Sequence, residues 1–268
     1  MNKYKEIATY GVAKRFIEDR LAVGMVSFSM DDLTKSTGLS EIAARNQLLH
    51  LGESIKRVTP RQAFFLIVTP EHRAFGIPPV DLWLGDYFTW LGRPYYLALQ
   101  SAAAIYGSSG QAIQETQVMT DVPMRNILFS RARLRFYTKS GLSHSLTQQA
   151  SNAAAPLLVS TVETTAFDLV RYASNIGGIE RVAETIRPMI PLMRPRQLEK
   201  MLEAENELAC AQRLGYILIK AGEEKLAGVV MDWLPKYRKN VPLALGVRVD
   251  KDMPIDAIYG VIMNSSGL

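Results

Sequence analysis

The chain has 268 residues, enough for two domains of ordinary size. Hydrophobic residues make up 48% and charged residues 21%, proportions that supply a core and exclude a disordered chain. A net charge of +5, with a pI near 9.2, suits a polyanionic partner without singling one out.

The start, Met1-Asn2-Lys3-Tyr4-Lys5, and the charges at Lys14, Arg15, Glu18, Asp19 and Arg20 leave no signal-peptide core. No other stretch approaches the ~20 apolar residues that span a bilayer, so no membrane partner is expected. The single cysteine, Cys210, excludes an internal disulfide and a multi-cysteine metal cage, and points to a cytoplasmic protein.

Apolar residues from Ile7 through Tyr10, Ala13, Phe16 and Ile17 to Leu21 recur at helical spacing and predict a first helix. Ser29 then caps a second, with Asp31 and Asp32 in its first turn and Phe28 stapled onto Leu33, and that helix ends near Thr37. Gly38 supplies a tight turn and Ser40 caps a third helix, whose buried face is Ala44, Leu48 and Leu51. Ile55 to Val58 and Ala63 to Val68 read as two strands around Thr59-Pro60-Arg61-Gln62, a wing. This helix, turn, helix and wing predicts a winged helix-turn-helix DNA-binding domain over residues 1–76. Its candidate DNA contacts are Lys35, Thr37, Ser40, Glu41, Ala43, Arg45, Asn46, Gln47, Arg57 and Arg61. Arg45 and Asn46 can grip guanine and adenine edges, while Arg57 and Arg61 reach phosphates. The plain alternative is a packing or protein-interaction module with an ordinary solvated helix face.

Pro70 to Pro79 reads as a linker or an irregular crossing segment, and the boundary falls near residue 76. Beyond it, helices are expected over Leu82 to Leu91 and Tyr95 to Tyr106, and strands over Thr116 to Met119 and Leu134 to Tyr137. Arg125, Arg131, Arg133, Arg135 and Lys139 occur with no acidic residue among positions 125–139. On a strand, Arg131, Arg133 and Arg135 share one face. That face is either a solvated edge that discourages strand pairing or an anion-binding surface for DNA, RNA or an acidic partner. Helices are further expected over Thr164 to Tyr172, Ile179 to Ile186 and Pro195 to Leu208. Ser160 or Thr161 can cap the first of these with Glu163 returning to the cap, and Asp168 can pair with Arg171. Altogether the elements predict a mixed α/β fold, with a larger α/β domain over residues 77–268.

No catalytic constellation emerges. Gly107-Ser108-Ser109-Gly110 resembles a nucleotidyltransferase loop but lacks paired downstream acids for magnesium, since Glu115 and Asp121 stand apart. His50, His72 and His144 have no metal-site spacing, Ser143-His144-Ser145 lacks a nucleophile's context, and Cys210 reads as a core residue. No enzyme activity, cofactor or metal is expected, and an unrecognised nucleic-acid-processing enzyme is the lesser alternative.

Several segments, in order, resemble the AbiEi antitoxin family, in the branch with an N-terminal winged-helix extension. They are His72-Arg73-Ala74-Phe75-Gly76-Ile77-Pro78-Pro79, Pro94-Tyr95-Tyr96-Leu97-Ala98-Leu99 followed by Ala102-Ala103, and Gln114-Glu115-Thr116-Gln117-Val118. Val159 to Tyr172 and Gln212-Arg213-Leu214-Gly215-Tyr216-Ile217-Leu218 follow, so the resemblance runs from about residue 25 to about residue 220. Tyr106-Gly107 departs from the histidine expected before that glycine. The resemblance implies an antitoxin that represses its own operon at promoter inverted repeats and neutralises a nucleotidyltransferase-like toxin, without requiring a stable complex with it. It is compatible with a monomer in solution or a dimer on DNA. A winged-helix regulator without antitoxin activity is the alternative.

Overall fold

The computed structural model describes residues 11–108, 115–129, 131–150, 155–265 and 267. Ile7, Tyr10, Ser109, Gly110 and Gln114 lie outside the described residues. Helix α1 (Val12–Ala22) buries Ala13, Phe16 and Ile17, and its exposed Lys14 and Glu18 pair at 3.8 Å. A short strand, β1 (Ser27–Ser29), leads directly into α2 (Met30–Thr37). The expected cap is a complete capping box: Asp32 N–H donates to Ser29 Oγ at 3.1 Å, and Ser29 N–H donates to Asp32 Oδ2 at 2.8 Å. Gly38, at φ 70°, closes α2, and the Ser40 hydroxyl caps α3 (Glu41–His50) by accepting from Ala43 N–H.

Strands β2 (Ile55–Arg57) and β3 (Phe64–Ile67) complete an antiparallel sheet in the order β1-β3-β2. All of Phe64, Phe65, Leu66 and Ile67 are buried, because this sheet is covered on both faces. Phe65 and Ile67 join Phe28, Leu33, Ala44 and Leu48 in the core under the helices, with Phe28 and Phe65 stacked at 5.3 Å. Phe64 and Leu66 point the other way, into the second core.

The segment after β3 is drawn together by short turns, with Ile77 buried and the Trp83 indole donating to Pro78 O at 3.2 Å. Helix α4 (Leu84–Leu91) then packs under the head sheet. Phe64 meets Tyr87 and Trp90 with ring centroids 5.4 Å apart in each case. Ser27 donates to Asp86 at 2.8 Å, and the Tyr87 hydroxyl donates to Gln62 at 2.7 Å.

The second sheet is mixed and six-stranded, in the order β6-β7-β5-β4-β9-β8. Its strands are β4 (Tyr95–Leu97), β5 (Thr116–Thr120), β6 (Ile127–Leu128), β7 (Arg133–Thr138), β8 (Thr147–Gln149) and β9 (Leu158–Ser160). The β4–β9 and β5–β7 pairs are parallel, and the other pairs are antiparallel. Alternation divides the core: Tyr95, Leu97, Val118 and Leu134 face α4, while Tyr96, Met119 and Tyr137 face a helical layer. That layer contains α5 (Leu99–Ile105), α6 (Val162–Arg171), α7 (Ile179–Ile186), α8 (Pro195–Glu205), α9 (Leu208–Lys220) and α10 (Glu224–Trp233). Last comes a small sheet of β10 (Val241–Pro242), β11 (Ile255–Asp256) and β12 (Val261–Ile262), in the order β10-β12-β11.

Three expectations are corrected. Tyr95 to Tyr106 is a strand followed by a helix, because Tyr95–Leu97 pairs with both β5 and β9 before Leu99 turns the chain at φ 53°. Asn206, left-handed at φ 46°, ends α8 short of Leu208, which instead opens α9. Thr161 caps α6, but Glu163 accepts from the N–H of Arg194, 31 residues away, instead of returning to the cap. Among the described residues, no helix is long and apolar enough to cross a membrane.

Candidate nucleic-acid interface

The third helix is apolar on two sides. Ala44 and Leu48 are buried against α1 and α2, while Ile42, Asn46 and Leu49 recur at four- and three-residue spacing on the side turned to solvent. Ile42 is 75% exposed and Leu49 77%. Glu41 and Arg45 flank this stripe and form an exposed ion pair one turn apart, a contact of the kind worth roughly 0.3–0.5 kcal/mol and easily exchanged for a ligand. Between α3 and the β2–β3 hairpin lies a groove of about 440 Å³, lined by Arg45, Leu48, Leu49, Ile55, Arg57 and Phe65. The Arg57 guanidinium sits 5.3 Å from the Phe65 ring centre and donates to Pro60 O at 3.0 Å. Arg61 stands exposed at the turn between β2 and β3.

Other residues expected on this surface have local structural tasks. Gln47 does not face outward: its side-chain oxygen accepts from Ala13 N–H at 2.9 Å and ties α3 to the start of α1. Ala43 is half-buried and packs on the head core. Thr37 donates to Leu33 O and accepts from Leu39 N–H, the Ser40 hydroxyl serves its helix cap, and the exposed Lys35 pairs with Asp31 at 3.4 Å. The sequence reading missed Ile42 and Leu49, since apolar residues on a short helix are first assigned to the core. Their phase opposite Ala44 and Leu48 was the available signal.

The second basic face is smaller than its sequence suggests. Arg125, Arg131 and Arg133 are exposed. Arg135 is half-buried, paired with Glu115 at 3.4 Å and set 5.2 Å from the centre of the Tyr137 ring. Lys139 is not on the face at all. The two-residue period that aligns the arginines carries it inward with Tyr137, under the helical layer.

There Lys139 Nζ lies 2.8 Å from Asp168 and 2.7 Å from Glu205, and donates to the Tyr96 hydroxyl at 3.1 Å. That hydroxyl donates to the second oxygen of Asp168 at 2.7 Å. Arg171 pairs with Asp168 at 3.0 Å, Glu205 at 2.9 Å and Glu207 at 2.7 Å, and Ser145 donates to Glu205 at 2.9 Å. Burial raises the Asp168 carboxyl above its usual range against the pull of Lys139. Burial also opposes ionisation of Glu205, but Lys139 and Arg171 outweigh it and hold that carboxyl below its usual range. Burial and the nearby Asp168 raise the Tyr96 phenol. A 370 Å³ cleft touches Tyr96 and Ser145, yet both hydroxyls are committed within the cluster. The arrangement clamps β4, α6, α8 and the end of β7. Among the described residues, no group of three or more His, Cys, Asp or Glu could hold a metal ion. Cys210 is fully buried, with its thiol donating to Phe167 O at 3.3 Å.

The fold and these surfaces define a mixed α/β chain with a helix-and-strand head carrying an exposed, arginine-flanked helix. Residues 96–220, from β4 through α9, match the AbiEi antitoxin C-terminal domain. Tyr96, Lys139, Asp168, Arg171, Glu205 and Glu207 all lie within the matched span. Antitoxins of this family are usually non-enzymatic, and the family implies a cognate toxin. Among solved structures, the fold is similar to the crystal structure of the RV2827C protein from Mycobacterium tuberculosis, with a TM-score of 0.66 at 15% identity over 94% of this chain and 90% of that one. No curated protein matches the sequence.

Proposed function

We propose that this chain is an antitoxin with two working parts, divided near residue 76. Its head is a winged helix-turn-helix that binds inverted repeats in its own promoter, and the larger domain restrains a nucleotidyltransferase-like toxin. The observation that carries the DNA-binding half is the placement of Arg45 on α3 and Arg57 on the wing along one groove, beside the exposed Asn46. A helix whose outer side bears Arg and Asn can read base edges, and a wing bearing Arg57 and Arg61 can hold the flanking phosphates. The match over residues 96–220 supports the antitoxin half.

Changing Arg45 and Asn46 together to Ala tests the division. Ala44 and Leu48 remain, so the head should fold. Loss of a bidentate base contact costs roughly 1–3 kcal/mol, so affinity for the promoter duplex should fall about ten- to a hundredfold in a mobility-shift titration. Wild-type binding should weaken steeply with salt as phosphate contacts release counterions. Cells given the toxin and this variant from a foreign promoter should still grow. Loss of protection at equal protein levels would show that neutralisation runs through the head.

A further inference from the structure

Two large aliphatic side chains on the outside of a ten-residue helix need an explanation. Isolated exposed apolar residues are common, but Ile42 and Leu49 bracket Asn46 on one line, and arginines flank that line on α3 and on the wing. A second copy of this chain docked on the stripe would have to take the flanking arginines out of water without offering them phosphates. Duplex DNA offers phosphates for Arg57 and Arg61 and, in the floor of the major groove, one apolar group at the depth a helix reaches: the C5-methyl of thymine. Ile42 stands in the first turn of α3, beside the helix N-terminus that leads into the groove in this class of domain.

We infer that Ile42 is a specificity-determining residue that packs on a thymine methyl in the operator, one helical turn from the base edge bound by Asn46. This rests on the DNA-binding reading of the head and names what it recognises. Four residues of helix advance about 6 Å, close to two base steps, so the thymine and the adenine bound by Asn46 lie about two base pairs apart. Arg45, released from Glu41, supplies a guanine contact beside them. Leu49 lies farther along the helix, in the groove wall.

The test uses the full-length protein and a duplex that it selects from random sequence. Each thymine of that duplex is replaced in turn by deoxyuridine, which deletes the methyl and leaves base pairing intact. Wild-type protein should lose about fourfold in affinity at one thymine per half-site, the worth of one buried methyl, and be indifferent elsewhere. Ile42→Ala should bind the unmodified duplex about as weakly as wild type binds that substituted one, and should not respond to the substitution. Ile42→Val, which keeps a branched methyl surface, should retain the response. Arg61→Ala should weaken binding to every duplex alike and leave the response unchanged. If a sequence is selected but no thymine methyl matters, or if Ile42→Ala still senses the same methyl, the inference fails while the DNA-binding reading stands. If no sequence is selected, the DNA-binding reading fails and the inference with it. A change in sedimentation of free Ile42→Ala would assign the stripe to a contact between copies and also overturn the inference.

Discussion

Lys139 separates the residue scale from its sequence context. In the sequence it closes a run of cations with no acid nearby, yet its partners Asp168 and Glu205 stand 29 and 66 residues away. Only the Asp168–Arg171 pair was legible, because three residues of helix bring them to one side. The buried position makes the cost of substitution predictable. Lys139→Met removes the cation between two buried carboxylates and should cost about 3–5 kcal/mol in urea unfolding. Arg131→Ala, on the exposed part of the same run, should stay within about 0.5 kcal/mol. Equal effects for the two would place Lys139 outside the cluster. The head told the same story in miniature: Asn46 was legible as an outward residue, whereas Gln47, its neighbour, turns to the start of α1.

At the scale of elements, long periodic helices and caps were readable and short strands were not. The Ser29 cap, the Gly38 turn and helix α7 stand as their residue patterns predict. Strand β4 was hidden because Tyr95 to Ala104 is apolar on every phase apart from Gln100 and Ser101, and pairing with β5 and β9 alone decides its conformation. The two-residue strands of the terminal sheet carry no period at all. Yet that sheet explains the Gln212-to-Leu218 motif. Gln212 donates to Lys239 O and Tyr259 O at 3.0 and 2.7 Å, Arg213 donates to Pro242 O at 2.8 Å, and Gly215 leaves room for the Tyr259 ring. A Cβ at Gly215 would fall 2.4 Å from that ring. Gly215→Ala should therefore cost about 1–3 kcal/mol and loosen the terminal sheet from α9, read as faster amide exchange at Val261 and Ile262. Unchanged exchange there would mean that the ring moves aside freely.

For the molecule as a whole, the seam between the head sheet and α4 decides whether the two parts behave as one body. Phe64, Leu66, Trp83, Leu84 and Tyr87 are buried in one core that crosses residue 76. Full burial of such side chains contributes about 1.5–3 kcal/mol each, so neither part can open without exposing the other. Phe64→Ala should cost about 3–5 kcal/mol and shift the unfolding of the entire chain in a single transition. Two transitions, with only the earlier one displaced, would show that the head unfolds alone.

That seam also bears on how the protein disappears from a cell. The segment joining the parts is held in turns, with Phe75 and Gly76 N–H groups both bonded to His72 O, instead of lying as an extended tether for a protease to clip. Cleavage at this segment should then wait on opening of the common core. On the proposed reading, a protease acting at the joint cannot separate repression from restraint of the toxin by leaving a folded head to silence the operon after the larger domain has been destroyed.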